Sequence, residues 1–304
     1  MAFYIINYYK SLSGHNIVSK IKHEMSNTNN TLTVVIVTFK SKKIIESCIR
    51  SIDPNIPIIV IENSDDTKFK DYLKTKFENV ECYLTGENKG YSVANNIGLS
   101  KVKTNYALVL NPDTKMDKNA IRNFLITAEK FPDFWLIGPA NQLEKEKNDY
   151  NKKEIFEVDN LKGFAIFFNM IKFNKQYFDE NFFLYFEEID LCKMVKIKGG
   201  SIFLDPSIEI FHQGSSSVDN VFINELEKNR NWHWMWSTFY YNKKHFGYLV
   251  SLMRVSKKFF SSFVKMIYFS IIFEAKKRRI YYQRFSGLFN SIIGKKSWYR
   301  PKIT

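Results

Sequence analysis

Four short runs in this sequence hold side chains that could do chemistry. Asn111-Pro112-Asp113 places a carboxylate in a turn. Asp113 is a hard oxygen ligand suited to Mg²⁺ or Mn²⁺, ions usually held by one or two carboxylates plus substrate phosphates. A diphosphate leaving group would need that charge compensation. Asn, Pro and Asp are also ordinary turn formers. "YFEEID" sets Glu187, Glu188 and Asp190 within four residues. A helix N-terminus favours acids through its dipole. Three so close repel one another, however, and behind the apolar "FFLYF" they are candidates for raised pKa values and general-base work. "GENKGYSVANN" (86–96) offers Gly90 for a close backbone approach at a helix start, and Asn95 and Asn96 to point back along a crevice. A solvated helix face is the alternative there. The run lacks the G-x-G-x-x-G and G-K-[ST] spacings, which argues against a nicotinamide enzyme or an ATPase. His212 in "IFHQGSSS" follows a strand and precedes a polar loop; a lone histidine is more often structural.

The elements that must position these residues are legible as patterns. "TVVIVTF" (33–39) is a β-branched run of the kind buried on both faces of a parallel sheet. A helix follows at 41–51, with Ser41 as its expected cap. Strands then recur at 56–63, 80–85 and 106–111, alternating with helices at 68–77, 91–100 and 117–130. Asp117 is the expected cap of the last. This alternation predicts an α/β fold, a Rossmann-like and mostly parallel sheet flanked by helices. Ligands of such sheets bind outside the carboxyl ends of the strands. Those ends carry Thr38-Phe39, Glu62-Asn63-Ser64-Asp65-Asp66, the 86–96 run and Asn111–Thr114. Acids, amides and glycines gather there while the strands hold almost none. Beyond residue 140 the regularity fails. A charged excursion spans 141–154, a strand 162–169, a helix stopped by Gly199-Gly200 ends the run from 182, and two short strands lie within 201–217.

The order of these pieces resembles inverting glycosyltransferase family 2, with the GT-A fold, and within it the bacterial rhamnosyltransferase-like branch. "VVIVTF", "IENSDD", "ENKGYSVANNIGL", "YALVLNPDT", "KGFAIFF", "FDENFFLYFEEIDLC", "IEIFHQGSSS" and "NRNWHWMWSTFYYNKKHFG" carry the likeness over residues 32–247. The resemblance implies that Thr38, Phe39, Glu62 and Asn63 line the nucleoside and that Asn88, Gly90 and Asn95 sit beside the nucleotide. It places Asn111 and Asp113 at the metal motif, with Asp113 as ligand and His212 completing the site. It makes Glu188 the general base, flanked by Glu187 and Asp190. Two departures stand out. The first acid of the metal motif is Asn111, one carboxylate fewer, and Glu replaces Asp at positions 62 and 188. The implied reaction transfers a sugar with inversion from a nucleoside diphosphate donor. The branch-level donor is dTDP-rhamnose, with other hexoses open. The implied acceptor is a glycan or a lipid-linked sugar in bacterial surface-polysaccharide synthesis, and the implied cofactor is Mg²⁺ or Mn²⁺. A sugar nucleotidyltransferase would need a glycine-rich basic loop after the first strand, where "TFKSKKII" has no glycine. A non-catalytic membrane adaptor on the same scaffold would not need Asp113, Glu188 and His212 together.

The formal charge of +14 over 304 residues is unevenly placed. From Lys243 onward there are fifteen Lys and Arg against the single acid Glu274, so the last fifth of the chain carries the whole excess. A neutral body with a basic, aromatic tail points to a docking element rather than to nucleic-acid binding. Lys257, Lys258, Lys265 and Lys276–Arg279 punctuate Phe, Ile, Met and Tyr as in an interfacial helix on anionic lipid. We therefore expect an N-terminal extension (1–30), a catalytic domain (31–224) and a helical basic membrane-associating region (225–304). Within the domain, 31–115 forms the nucleotide-sugar half and 116–224 the acceptor half. Cys48, Cys82 and Cys192 lack metal spacing and read as buried free thiols in a reducing compartment. With no signal peptide or spanning run in view, the expected location is cytoplasmic, peripheral at the inner face of the plasma membrane.

Overall fold

The computed structural model describes residues 31–140, 154–212 and 223–300. The expected N-terminal extension, nearly all of the charged excursion and the loop after His212 lie outside them. The central sheet has eight strands. They are β1 (Leu32–Thr38), β2 (Ile58–Glu62), β3 (Val80–Leu84), β4 (Tyr106–Leu110), β6 (Phe134–Pro139), β7 (Phe156–Glu157), β8 (Ala165–Asn169) and β9 (Ser201–Asp205). Their spatial order is β3-β2-β1-β4-β8-β6-β9-β7. Strands β1 to β4 are mutually parallel, β8 runs antiparallel between β4 and β6, and β6 and β9 are again parallel. A separate two-stranded ribbon pairs β5 (Thr114–Met116) with β10 (Ile210–His212).

The β-branched run of β1 is buried on both faces because each face is covered. Leu32, Val34 and Ile36 join a core with Ile45 and Ile49 of α1 (Lys42–Arg50), Phe69 and Leu73 of α2 (Thr67–Lys76), and Phe124 of α4 (Ala120–Lys130). Val35 faces the other way, against Ala94 and Leu99 of α3 (Gly90–Lys101), within the core that also holds Leu191 and Val195 of α5 (Glu187–Ile197). The expected fold class is therefore the observed one: a mostly parallel sheet flanked by helices. Two capping expectations are corrected. Ser41 stands at the N-cap of α1, but its hydroxyl donates to the Phe39 carbonyl instead of accepting from the helix. Asp117 precedes α4 by a turn, where its carboxylate accepts from the Asn119 amide. All three cysteines are free and buried.

The basic region is three helices, α6 (Ile223–Phe246), α7 (Tyr248–Ile271) and α8 (Ala275–Ile292). Gly247 and Phe273, both at positive φ, make the turns between them. Met235, Phe239, Val255 and Leu288 form their shared core. Helix α8 presses on α6 so closely that a Cβ on Gly287 would lie 2.2 Å from the Trp232 carbonyl oxygen. No helix among the described residues is long and apolar enough to cross a membrane.

Candidate active site

Strand register collects the polar ends on one edge. Thr38 lies beside Glu62, Glu62 beside Leu84, and Ile36 beside Leu110. Because β8 is antiparallel, its first residue, Ala165, pairs with Leu110 and brings Gly163-Phe164 to the same edge. At the end of β2, Asn63 is the organiser. Its side-chain amide donates to the Gly90 carbonyl and to Asn88 Oδ1, both at 3.1 Å, and its Oδ1 accepts from the Lys89 amide at 2.9 Å. Asn88 in turn accepts from the Gly90 amide. Gly90 has φ +84°, and a Cβ there would lie 2.5 Å from the Phe183 ring and carbonyl oxygen. Thr38 Oγ1, Ser92 Oγ and Asn95 Oδ1 are buried without hydrogen-bond partners among the described residues. Asn95 uses its amide on the Tyr91 carbonyl. Phe39 is half-buried beside them.

Glu62 is buried, with Ser64 donating to its Oε1. Burial raises its carboxyl from 4.5 to about 7, against the lowering effect of Ser64. The unfolded chain therefore releases this proton first as pH rises, and stability contributed by the protonated group falls between pH 4.5 and 7. At roughly 1.4 kcal/mol per pKa unit the loss is about 3 kcal/mol at most. Urea midpoints of Glu62→Gln across this range are expected to show a shallower decline than the parent; parallel curves would rule out this linkage.

Asp113 and His212 come together across the ribbon. His212 Nε2 is 3.3 Å from Asp113 Oδ1, the His212 backbone lies in register with Thr114 of β5, and its ring stacks on Phe164 at 5.0 Å. The Asn111 amide donates to the Phe164 carbonyl at 2.9 Å, and the Asn111 carbonyl accepts from the Thr114 hydroxyl at 2.7 Å. Among the described residues no group of three or more His, Cys, Asp or Glu is assembled for a metal. A carboxylate and an imidazole fit a hard divalent ion whose other positions are filled by phosphate oxygens and water.

The acids open α5. Tyr185 and Phe186 precede them in consecutive left-handed conformations, φ 69° and 73°, which turn the chain sharply into the helix. Such conformations cost about 1–3 kcal/mol each and hold only where surroundings impose them; here Trp234 and Tyr241 of α6 brace Phe186. Glu188 is half-buried and lies across Gly163, with side-chain carbons 3.6–3.7 Å from the position a Cβ would take. Burial raises its pKa, which the helix amides and the charge of Lys162 partly offset. Glu187 is buried and its Oε2 has no hydrogen-bond partner among the described residues. Burial, then the neighbouring charge of Glu188, pushes its carboxyl well above the usual range.

Asp190 is placed elsewhere, against its expected catalytic role. Its two oxygens are taken by His245 Nε2 and Lys244 Nζ of α6, each at 2.7 Å, and Lys244 also reaches Asp179 at 2.8 Å. Asp190 is a latch between α5 and α6. The latch is continued by Ser237 donating to the Leu184 carbonyl and by His233 stacking on Phe183. Sequence reasoning missed Tyr91, whose hydroxyl donates to the Gly163 carbonyl at 2.7 Å beside both glutamates. It also missed Gly163 and Phe164 as the joint between Glu188 and the Asp113–His212 pair. The signal for the last two was the glycine at the start of a strand.

Residues 33–194, more than half of the chain, match the family Glycosyl transferase family 2. The chain belongs to that family. A relative, the low-salt glycan biosynthesis hexosyltransferase Agl10 of Haloferax volcanii, is 26% identical over 188 aligned positions, covering 53% of this chain and 60% of the relative. Among solved structures, GalNAc-T7 with UDP, GalNAc and Mn²⁺ superposes with a TM-score of 0.51 at 15% identity, over 72% of this chain and 50% of that one. The S. aureus TarS 1–349 structure gives 0.49 at 12% identity, over 89% and 93%. The likeness to GalNAc-T7 establishes the GT-A fold. The chain spans 50–60% of the length of Agl10 and GalNAc-T7.

Proposed function

We propose that this family 2 protein is an inverting hexosyltransferase that uses a nucleoside diphosphate sugar, with Glu188 as general base. The observation that carries the reading is the convergence at Gly163-Phe164. Glu188 packs on the first residue, and His212, facing Asp113, stacks on the second. A base and a charge-compensating pair thus stand on adjacent residues of one sheet edge. Glu188 takes the proton of an acceptor hydroxyl as that oxygen bonds to the anomeric carbon. The bond from that carbon to the diphosphate oxygen breaks, and its electron pair leaves with the nucleoside diphosphate. One displacement inverts the centre. Glu62, Asn63, Thr38 and Phe39 hold the nucleoside, while Asn88, Gly90, Asn95 and Asn111 line the sugar-phosphate path. Asp113 and His212 would hold a divalent ion, which would supply charge compensation for the diphosphate.

The donor favoured by the sequence branch is dTDP-L-rhamnose, with other hexoses as alternatives. Agl10, named a hexosyltransferase of glycan biosynthesis, supports a glycan or lipid-linked acceptor. The basic three-helix region supports peripheral attachment at the inner, anionic membrane face. A thermal-shift screen against nucleoside diphosphates and their sugars, with Mg²⁺ or Mn²⁺, tests the reading. A shift with one nucleotide class is expected, followed by a product of inverted anomeric configuration; retention of configuration would sink it. Asp113→Ala is expected to weaken Mn²⁺-dependent nucleotide binding at least about tenfold, as loss of a carboxylate ligand to a site with few others. Isothermal titration with and without the ion measures this, and equal Mn²⁺ dependence in parent and variant would remove Asp113 from the metal.

A further inference from the structure

Helix α7 is apolar on two faces. Ser251, Val255 and Ser262 look inward to α6 and α8, while Leu249, Met253, Phe260, Val264, Ile267 and Ile271 line an exposed outer row. At 1.5 Å per residue that row runs roughly 30–35 Å. The row ends in the α7–α8 turn, where Phe273 is 91% exposed in a left-handed conformation. Beside the turn lies a cavity of about 430 Å³, lined by Lys228, Ser270, Arg278, Arg279, Tyr282 and Gln283 and by the apolar Met266. Its charges are poorly met. Lys228 pairs with Glu225, and Lys276 is 3.7 Å from Glu227, but Arg278 and Arg279 have no acid within 4 Å among the described residues. Deeper between the helices, Arg284 Nε is buried without a hydrogen-bond partner, and Lys258 faces that same guanidinium.

The geometry points to an anionic phospholipid headgroup site: the phosphate seats against Arg278 and Arg279 while Phe273 and the outer row of α7 enter the acyl region of the same bilayer. This rests on the membrane reading above and adds its contact residues and its ligand chemistry. Charge decides the occupant. Helix α7 carries Arg254, Lys257, Lys258 and Lys265 and no acid, so a second copy laid on the row would bring cations against cations. A bilayer containing anionic lipid offers an apolar interior beneath a negative surface, matching both halves of the feature. Tyr282 supplies a hydroxyl donor that suits phosphate oxygens.

The test uses the full chain with vesicles of phosphatidylcholine, alone or mixed with phosphatidylglycerol, read by co-sedimentation. Binding is expected with the anionic mixture only. Arg278→Gln with Arg279→Gln is expected to lower partitioning about thirtyfold, at about fivefold per cation near an anionic surface. The Lys pair at the same two positions is expected to keep most of it. Phe273→Ser is expected to weaken binding without changing its lipid preference. Equal binding to neutral vesicles, no binding, self-association of the chain without vesicles, or a Gln pair that binds like the parent would overturn the assignment. So would displacement by inorganic phosphate at the same phosphorus concentration, which would mark a free-phosphate site. Thermal shifts with nucleoside diphosphates, run on every variant, separate this outcome from the sugar-transfer reading. A parent chain that binds nucleotide but neither kind of vesicle would sink the lipid site alone.

Discussion

Glu188→Gln is expected to cut sugar transfer by about 10²–10⁴-fold, the usual contribution of a general base, while nucleotide binding stays within about twofold. The amide keeps the shape that packs on Gly163 but cannot accept the acceptor's proton. Glu187 cannot replace it. Its carboxyl is buried, burial raises its pKa well above the usual range, and its charge would have to appear beside that of its neighbour. The pH profile carries the same information. The raised pKa of Glu188 means that the parent rate falls as pH drops through a value above the ordinary carboxylate range, and the Gln variant lacks that limb. Single-turnover transfer with a fixed donor measures both. A Gln variant with undiminished transfer would return the base to another group.

The second large effect concerns stability. Asp190→Ala removes one partner of a buried ion network and is expected to cost about 3–5 kcal/mol, read as a lowered urea midpoint at unchanged slope. Lys244 would keep only Asp179, and His245, itself enclosed, would face no acid. The loss reaches the site indirectly, because α5 carries Glu188 in its first turn and the latch fixes the face that α5 presents. We propose that Asp190 is a positioning residue. Measured on the folded fraction, Asp190→Ala is expected to retain the Glu188-dependent pH limb with a reduced kcat. Unaltered stability together with abolished transfer would instead make Asp190 catalytic.

The separation of Asp190 from Glu188 was present in the spacing. Residues two apart on an α-helix are about 200° apart around its axis, so both cannot face one cleft. Grouping the three acids by proximity in sequence overlooked this. Strands β1, β2 and β4 were legible because burial on both faces favours continuous apolar runs, and β-branched runs have few other stable homes; the edge strand β3 alternates buried and exposed residues at its start. Strand β6, "FWLIGP", was not, since two prolines and a glycine crowd its six residues and their approach. The three-residue β5 is too short to carry a period. The antiparallel sense of β8 is invisible locally, because alternation and burial read the same in either direction. That sense is what delivers Gly163 and Phe164 to the donor edge, so the composition of the site was legible and its joint was not. In the C-terminal region the charge was read correctly. Its fixed attachment to α5 depends on single pairs such as Lys244 with Asp190, which no periodicity announces.

The reversed strand has a kinetic consequence as well. The two walls of the cleft meet through pairing of residue 110 with 165, and of residue 111 with 164. The β1–β4 ladder that supports one wall itself joins residues 32–36 to 106–110. Closing such long loops costs entropy before contacts repay it, and chains rich in such pairings fold slowly. A nascent chain released before residue 165 can assemble the β1–β4 ladder but lacks the strand that brings in the second wall. Competence therefore arrives late and all at once, after the strand that enters the sheet backwards has found its slot.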